Sequence, residues 1–202
     1  MFPELEKLEL PVNIQNVSFT EIVNSKYRVH DSIKFFRNFG YERYKDFHFL
    51  VAFRGHEVVG YYVKQAGITG YQNGYLESAV SGTGSKLIAE MSKNGSFVSF
   101  ARICNVRSLK AQLKAKPLKI KGISEKYGEN SKYEDVITKD MFYKSELGSC
   151  GIIHNGELNP ELSDFILNSK KVVLMHGDKE SDIVDIGRDI DSIADVKIYF
   201  QY

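Results

Sequence analysis

Cysteine is scarce, and the two that occur, Cys104 and Cys150, give neither a metal-ligand spacing nor a disulfide framework. That pattern fits a reducing compartment. Long apolar runs are missing as well: the first thirty residues carry charges throughout with no core of signal-peptide length, and no later run approaches a membrane span. A cytoplasmic protein with no membrane role is the expectation. Excess charge is also lacking, since 27 bases against 26 acids leave a net +1 over 202 residues. With 43% hydrophobic and 26% charged residues, the composition excludes a disordered chain and allows one well-buried domain, or one domain with an appended lobe.

The small net charge conceals a division. Residues 151–202 hold ten acids and five bases, net −5, so the first 150 residues, with 22 bases and 16 acids, carry net +6. Much of the positive excess lies in Arg102, Arg107, Lys110, Lys114, Lys116, Lys119, Lys121 and Lys126, opposed locally only by Glu125. Such a run is either the solvated face of a helix and its following loop or a surface for a polyanion or a phosphorylated cofactor.

Residues 71–93 read as a strand, a glycine turn and a helix. The span 73–80 carries β-branched and aromatic residues, Ser81-Gly82-Thr83-Gly84 breaks it, and Leu87, Ile88 and Met91 recur at helical spacing. A strand that stops at two glycines one residue apart leaves backbone N–H groups pointing out of a helix N-terminus, which suits an anion. The same pattern also serves as a plain tight connection.

Along the rest of the chain, Pro3 and Pro11 predict an extended lead-in over residues 1–16. Ser18-Phe-Thr-Glu21 has the form of a capping box and opens one or two amphipathic helices, with a restart at Asp31-Ser32 and a stop at Phe39-Gly40. Residues 48–53 and 57–63 predict a hairpin turning at Arg54-Gly55-His56. Residues 96–104 predict a strand apolar on both faces and therefore central, and Asn105 an N-cap for a helix over 106–115. Joining strand 73–80 through helix 84–93 to strand 96–104 gives a parallel β-α-β unit.

Helices, a hairpin of the form Phe-Leu-Val-Ala-Phe-Arg-Gly-His-Glu-Val-Val-Gly-Tyr, a strand, Gly82-Thr83-Gly84-Ser85-Lys86-Leu87-Ile88, a strand, and then Asn105-Val-Arg-Ser108 follow in that order. Over residues 18–147 this resembles the GNAT superfamily of acyl-CoA-dependent N-acyltransferases. The resemblance implies an α/β fold, α+β in its layering, with a mixed, largely antiparallel sheet around the central parallel β-α-β unit, in a domain of residues 1–148. It implies acetyl-CoA or another acyl-CoA as cofactor. Gly82, Thr83, Gly84 and Ser85 would hold its pyrophosphate, Val80 would lie beside its arm, and Asn105 and Ser108 would contact that arm. A backbone N–H among Ser78 to Val80 would meet the tetrahedral oxyanion. Two positions depart from the family pattern: Ala79 stands where members usually carry Arg or Gln, and Gln112 where many carry a tyrosine that protonates the departing thiolate.

Amine acylation needs a base for the ammonium proton, a donor for the oxyanion and a proton for the thiolate. Glu77 is the acid on the strand 73–80 and so the candidate base; its plain role is an exposed or salt-bridged strand-end carboxylate. Arg102 interrupts an apolar strand, where a charge is either paired or lines a cleft, and is the candidate substrate-binding residue. His48 is a weaker candidate base, His56 a solvent-exposed turn residue, and Cys104 a small buried hydrophobe.

Residues 118–148 are expected to close the sheet with strands at 120–123 and 141–145. An acidic extension, 149–202, then reads as a helix after Asn159-Pro160, a strand at 172–176, an amphipathic helix through Ile183, Ile186, Ile190 and Ile193, and a strand at 196–200, a second β-α-β unit. The expected function is transfer of an acyl group, acetyl first among them, to an amine by direct attack in a ternary complex. The acceptor class is open among small molecules, proteins and nucleic acids, and so is self-association. Two rivals stand beside it: a non-catalytic protein that binds CoA or a partner, and a nucleic-acid-modifying enzyme of the phage Mom type, which the basic run would serve.

Overall fold

The computed structural model describes residues 11–24, 27–34, 48–65, 73–123, 140–181 and 197–202. The chain divides into two units, residues 1–65 with 74–91 and residues 66–73 with 92–202.

In the first unit the lead-in becomes strand β1 (Val12–Ser18), followed at once by helix α1 (Phe19–Asn24). The capping box forms as the sequence predicts: Ser18 N and Oγ both donate to Glu21 Oε2 at 2.8 Å, and Glu21 N donates to Ser18 Oγ at 3.2 Å. After β2 (Arg28–Val29) the chain turns at residues 31–32, where a second helix was expected; His30 Nδ1 accepts from Ser32 N at 3.2 Å, and this local bond offers the backbone an alternative to a helix. The expected stop at Phe39-Gly40 lies outside the described residues.

The predicted hairpin is β3 (His48–Arg54) and β4 (Glu57–Gln65), turning at Gly55, whose φ of +63° suits glycine. With β5 (Asn73–Ser78) these strands make one five-stranded sheet in the order β1-β3-β4-β2, β5 also pairing with β4. Phe49, Val51 and Phe53 alternate onto one face and pack with Val17, Phe19, Ile22, Ile33, Val58, Tyr61 and Val63. Each such fully buried side chain contributes about 1.5–3 kcal/mol. Leu87, Ile88 and Met91 form the buried stripe of α2 (Thr83–Ser92).

The second unit holds β6 (Val98–Arg102), α3 (Val106–Lys114) and β7 (Lys119–Ile123). Next come hairpin β8 (Met141–Ser145) with β9 (Gly148–Gly151), a small hairpin β10 (Ile153–His154) with β11 (Glu157–Leu158), and α4 (Leu162–Asn168). Hairpin β12 (Val173–His176) with β13 (Lys179–Ser181) and a last strand β14 (Lys197–Gln201) complete it. Leu109 and Leu113 of α3, Leu162 and Ile166 of α4, and Ile198 and Phe200 of β14 close on a void of about 10 Å³, a packed core with no room for a ligand.

The mixed α/β composition with mostly antiparallel sheets agrees with the sequence, but the expected connections do not. Among the described residues the central parallel β-α-β unit is not shown; β6 pairs antiparallel with β14. Among the described residues, 96–104 therefore hold an edge strand of the β6-β14-β7 sheet and not its central one. β14 is: it pairs β6 on one side and β7 on the other, and its Ile198, Tyr199 and Phe200 are buried in succession, as a strand covered on both faces requires. β6 alternates buried Ser99 and Ala101 with half-buried Val98 and Phe100 and exposed Arg102.

The tail behaves likewise. β12 pairs β8 and β13, whereas β14 joins the β6-β14-β7 sheet, so these two strands do not form the second β-α-β unit. The strand at 141–145 was expected to close the same sheet as 120–123, but β8 lies in the separate sheet β13-β12-β8-β9. The helix expected through Ile183 to Ile193 lies outside the described residues.

Candidate functional site

The glycine turn of the first unit is built from an irregularity in β4. Ala52 pairs with Gly60 but Phe53 with Val58, so Val59 is an extra residue, a β-bulge. The carbonyls of Val58 and Val59 then face the same edge: Val58 O accepts from His30 N at 3.0 Å, and Val59 O accepts from Ala79 N at 2.7 Å. Gly60 comes next. A Cβ there would stand 3.1 Å from Glu77 O, 3.1 Å from Thr83 Cγ2 and 3.3 Å from Leu87 Cδ1, so glycine lets the β5-to-α2 connection lie close against β4.

Ala79 is thereby fixed and the chain turns. Thr83 N donates to Val80 O at 3.2 Å, Lys86 N to Gly82 O at 3.3 Å, and Ser85 Oγ to Gly82 O at 2.9 Å. Gly82 has φ +78°, where a side chain is strained, and an added Cβ would meet nothing within 4 Å, so the space over the turn is open. Among the described residues, the N–H groups of Gly84 and Ser85 find no acceptor. Gly84 is buried and Ser85 half-buried. No acidic side chain stands in the first turn of α2. These are the donors a helix leaves unsatisfied at its start, with the positive end of the helix dipole behind them.

The neighbouring candidates are sorted by the same bonds. Ala79 N–H is committed to β4, which removes it as an oxyanion donor; successive N–H groups of an extended chain point to opposite edges, and that of Val80 has no acceptor among the described residues. Glu77 is half-buried at the end of β5, and its Oε2 accepts from Lys34 N at 3.0 Å, which ties the strand to the segment after β2. His56 is exposed in the hairpin turn, as expected, and the side chain of His48 lies outside the described residues.

The second unit holds the remaining candidates. Asn105 is the N-cap of α3: its Oδ1 accepts from Ser108 N at 3.1 Å, its carbonyl accepts from Leu109 N at 3.0 Å, and its own N–H donates to Arg102 O at 2.9 Å. Arg102 ends β6, exposed and opposite Lys197. Gln112, only 2% exposed, donates from Nε2 to Ser99 Oγ at 2.7 Å, and Tyr202 Oη donates to its Oε1 at 2.7 Å and lies 2.8 Å from its carbonyl. The position that the resemblance gives to a proton donor is here a structural tie. Cys104 is buried, and burial pushes its thiol up, so it stays protonated and is a poor nucleophile. Beside it, buried Tyr143 donates to Ile103 O at 2.6 Å, and burial holds its hydroxyl well above the usual phenol range.

Three of these arrangements escaped sequence reasoning. Lys34 is 43 positions from Glu77, and no local pattern links them. The Tyr143 anchor likewise spans 40 positions. Gln112 was within reach: it falls between Leu109 and Leu113 on the buried side of α3, where a polar side chain must find partners. Among the described residues no group of three or more His, Cys, Asp or Glu side chains could hold a metal ion, and no helix is long and apolar enough to cross a membrane. No protein-family model matches this chain, and no curated protein matches it.

Proposed function

We propose that the chain is an acyl-CoA-dependent N-acyltransferase of the GNAT kind that its sequence resembles, with the acyl-CoA pyrophosphate taken by the Gly82–Ser85 turn. The observation that carries this reading is the open space over Gly82 together with the unaccepted N–H groups of Gly84 and Ser85 at the start of α2. Val80 N–H is the oxyanion donor of the group Ser78 to Val80, since Ala79 is already bonded. Glu77 takes the proton from the acceptor amine, and Lys34 N–H orients its carboxylate. The amine nitrogen forms the new amide bond, the thioester C–S bond breaks, and the thiolate takes its proton from water, Gln112 being committed elsewhere.

The test is a melting-temperature screen over acyl-CoAs. Acetyl-CoA is expected to raise Tm, because a ligand selective for the folded state stabilises it. Ser85→Glu places a carboxylate among the open donors; it is expected to abolish that rise while raising Tm of the free protein through about 0.3–1 kcal/mol of helix-dipole stabilisation. No shift with any acyl-CoA in the native chain sinks the assignment. Glu77→Gln keeps an acceptor for Lys34 N–H and removes the base, so thiol release on an amine library should fall with cofactor binding intact.

A second reading rests on a separate observation. From Arg102 to Lys119 the chain carries six bases and no acid, and Arg102, Arg107, Lys114, Lys116 and Lys119 are exposed. An acceptor that is itself a polyanion, as in a nucleic-acid-modifying enzyme, would use that surface, and retention of DNA or RNA that falls steeply with salt would favour it.

A further inference from the structure

We infer that β1 is a dimerisation edge: two copies of this chain join by antiparallel pairing of residues 12–16 with their counterparts, each extending the other's first-unit sheet. β1 keeps unbroken register with β3 through seven residue pairs, from Val12 opposite Arg54 to Ser18 opposite His48. It ends its sheet, and among the described residues nothing pairs its outer edge. A row of unpaired backbone donors and acceptors is a template for another strand, and monomeric proteins blunt it with lysine, proline, a bulge or a charge. β1 has none of these. Val12-Asn13-Ile14-Gln15-Asn16-Val17-Ser18 contains no charge and no proline, and its ladder with β3 has no bulge.

A copy of the same strand fits because the sequence is self-complementary. A two-fold axis at Ile14 sets Ile14 against Ile14, Asn13 against Gln15 and Val12 against Asn16. Side-chain amides both donate and accept, so each Asn13–Gln15 pair closes without a charged partner, and the Ile14 pair adds an apolar cross-strand contact. A charged peptide would find no counter-charge along this strand. Asn13, Gln15 and Asn16 are exposed and Ile14 is half-buried, so all four are available. Beside the edge, Asn13 and Gln15 line with Tyr27, Phe53 and His56 an open groove of about 400 Å³, which gives room for side chains that the incoming strand presents on that face. The symmetric, self-matching contact is the commonest route to a homodimer.

Sedimentation of the full chain over a concentration series is expected to show a mass rising from 23.0 kDa toward twice that value. Ile14→Lys sets like charges face to face at the axis and is expected to hold the chain monomeric with its circular dichroism unchanged. Ile14→Cys is expected to give a covalent dimer on mild oxidation, since directly opposed strand residues lie within disulfide reach, whereas Gln15→Cys, opposed by Asn13, gives little. A chain that stays monomeric at every concentration overturns the inference. So does a dimer that survives Ile14→Lys, or one in which Ile14→Cys fails to cross-link; the cysteine arm decides the matter should the lysine variant misfold. The inference is independent of the acyltransferase reading.

Discussion

Helices α2 and α3 begin in different ways. At α3, Asn105 supplies a side-chain oxygen to Ser108 N, so the helix satisfies a starting donor from within. At α2, Gly82 offers no side chain, Ser85 Oγ turns back to Gly82 O, and the N–H groups of Gly84 and Ser85 have no acceptor among the described residues. The cap closes one donor only, since the N–H groups of Val106 and Arg107 likewise have no acceptor among the described residues. An uncapped start is left to water or to an anion, and glycine at φ +78° keeps the approach to it clear. The candidate residues divide accordingly: Asn105 and Gln112 spend their side chains on bonds within the fold, while Gly82 leaves the start of α2 without a side-chain cap.

The largest expected effect tests the closed side. Gln112→Leu conserves side-chain size but removes the partner of Ser99 Oγ and one partner of Tyr202 Oη, all buried. Leaving a buried hydroxyl unsatisfied costs about 1–3 kcal/mol. The unfolding free energy from urea denaturation should fall by that amount, as a lower midpoint with an unchanged slope, and any Tm increment from acetyl-CoA should survive. Ser85→Glu should do the reverse. If both variants lose the increment, the division between a structural and a binding helix start is wrong.

A smaller effect sharpens the role of Asn105. Asn105→Ala should cost about 1 kcal/mol, the usual worth of an N-cap, in urea denaturation. Asn105→Asp restores the cap oxygen and should restore stability. Any acetyl-CoA increment that falls in the aspartate variant, despite normal stability, would give Asn105 a role beyond capping; an unchanged increment would leave it a cap only.

What the sequence disclosed follows the range of the interactions. The capping box Ser18/Glu21, the β3–β4 hairpin and the Asn105 cap are set within a few residues, and each forms as expected. The glycine turn was equally legible, because φ > 0 and an open helix start are local properties. The sheet order was not. Residues 197–201 insert between β6 and β7, a pairing between strands far apart in sequence, and three consecutive buried residues in β14 could have belonged to any central strand. The bulge at Val59 was also hidden, since Val58 and Val59 are both fully buried and period-two alternation does not reveal which is the extra residue. Yet that bulge presents the carbonyl that fixes Ala79.

The smallest effect concerns a donor pair closed by a group that titrates. Glu146, in the β8–β9 turn, accepts from the N–H groups of Lys170 and Lys171, and these bonds, that from Lys170 first, hold its carboxyl below the usual range. A carboxyl whose folded-state pKa is lowered binds fewer protons folded than unfolded, so its contribution to stability is complete above the ordinary glutamate value, about 4.3, and is lost as pH falls through the lowered folded value. Glu146→Gln keeps an acceptor but no charge. Its deficit relative to the native chain should be present at neutral pH and shrink as acid protonates Glu146 in the native protein. A deficit that stays constant from neutral pH into the acid range would mean that the carboxylate's charge does nothing for this turn. Asn105 and Glu146 would then close their donors in the same way, by geometry alone.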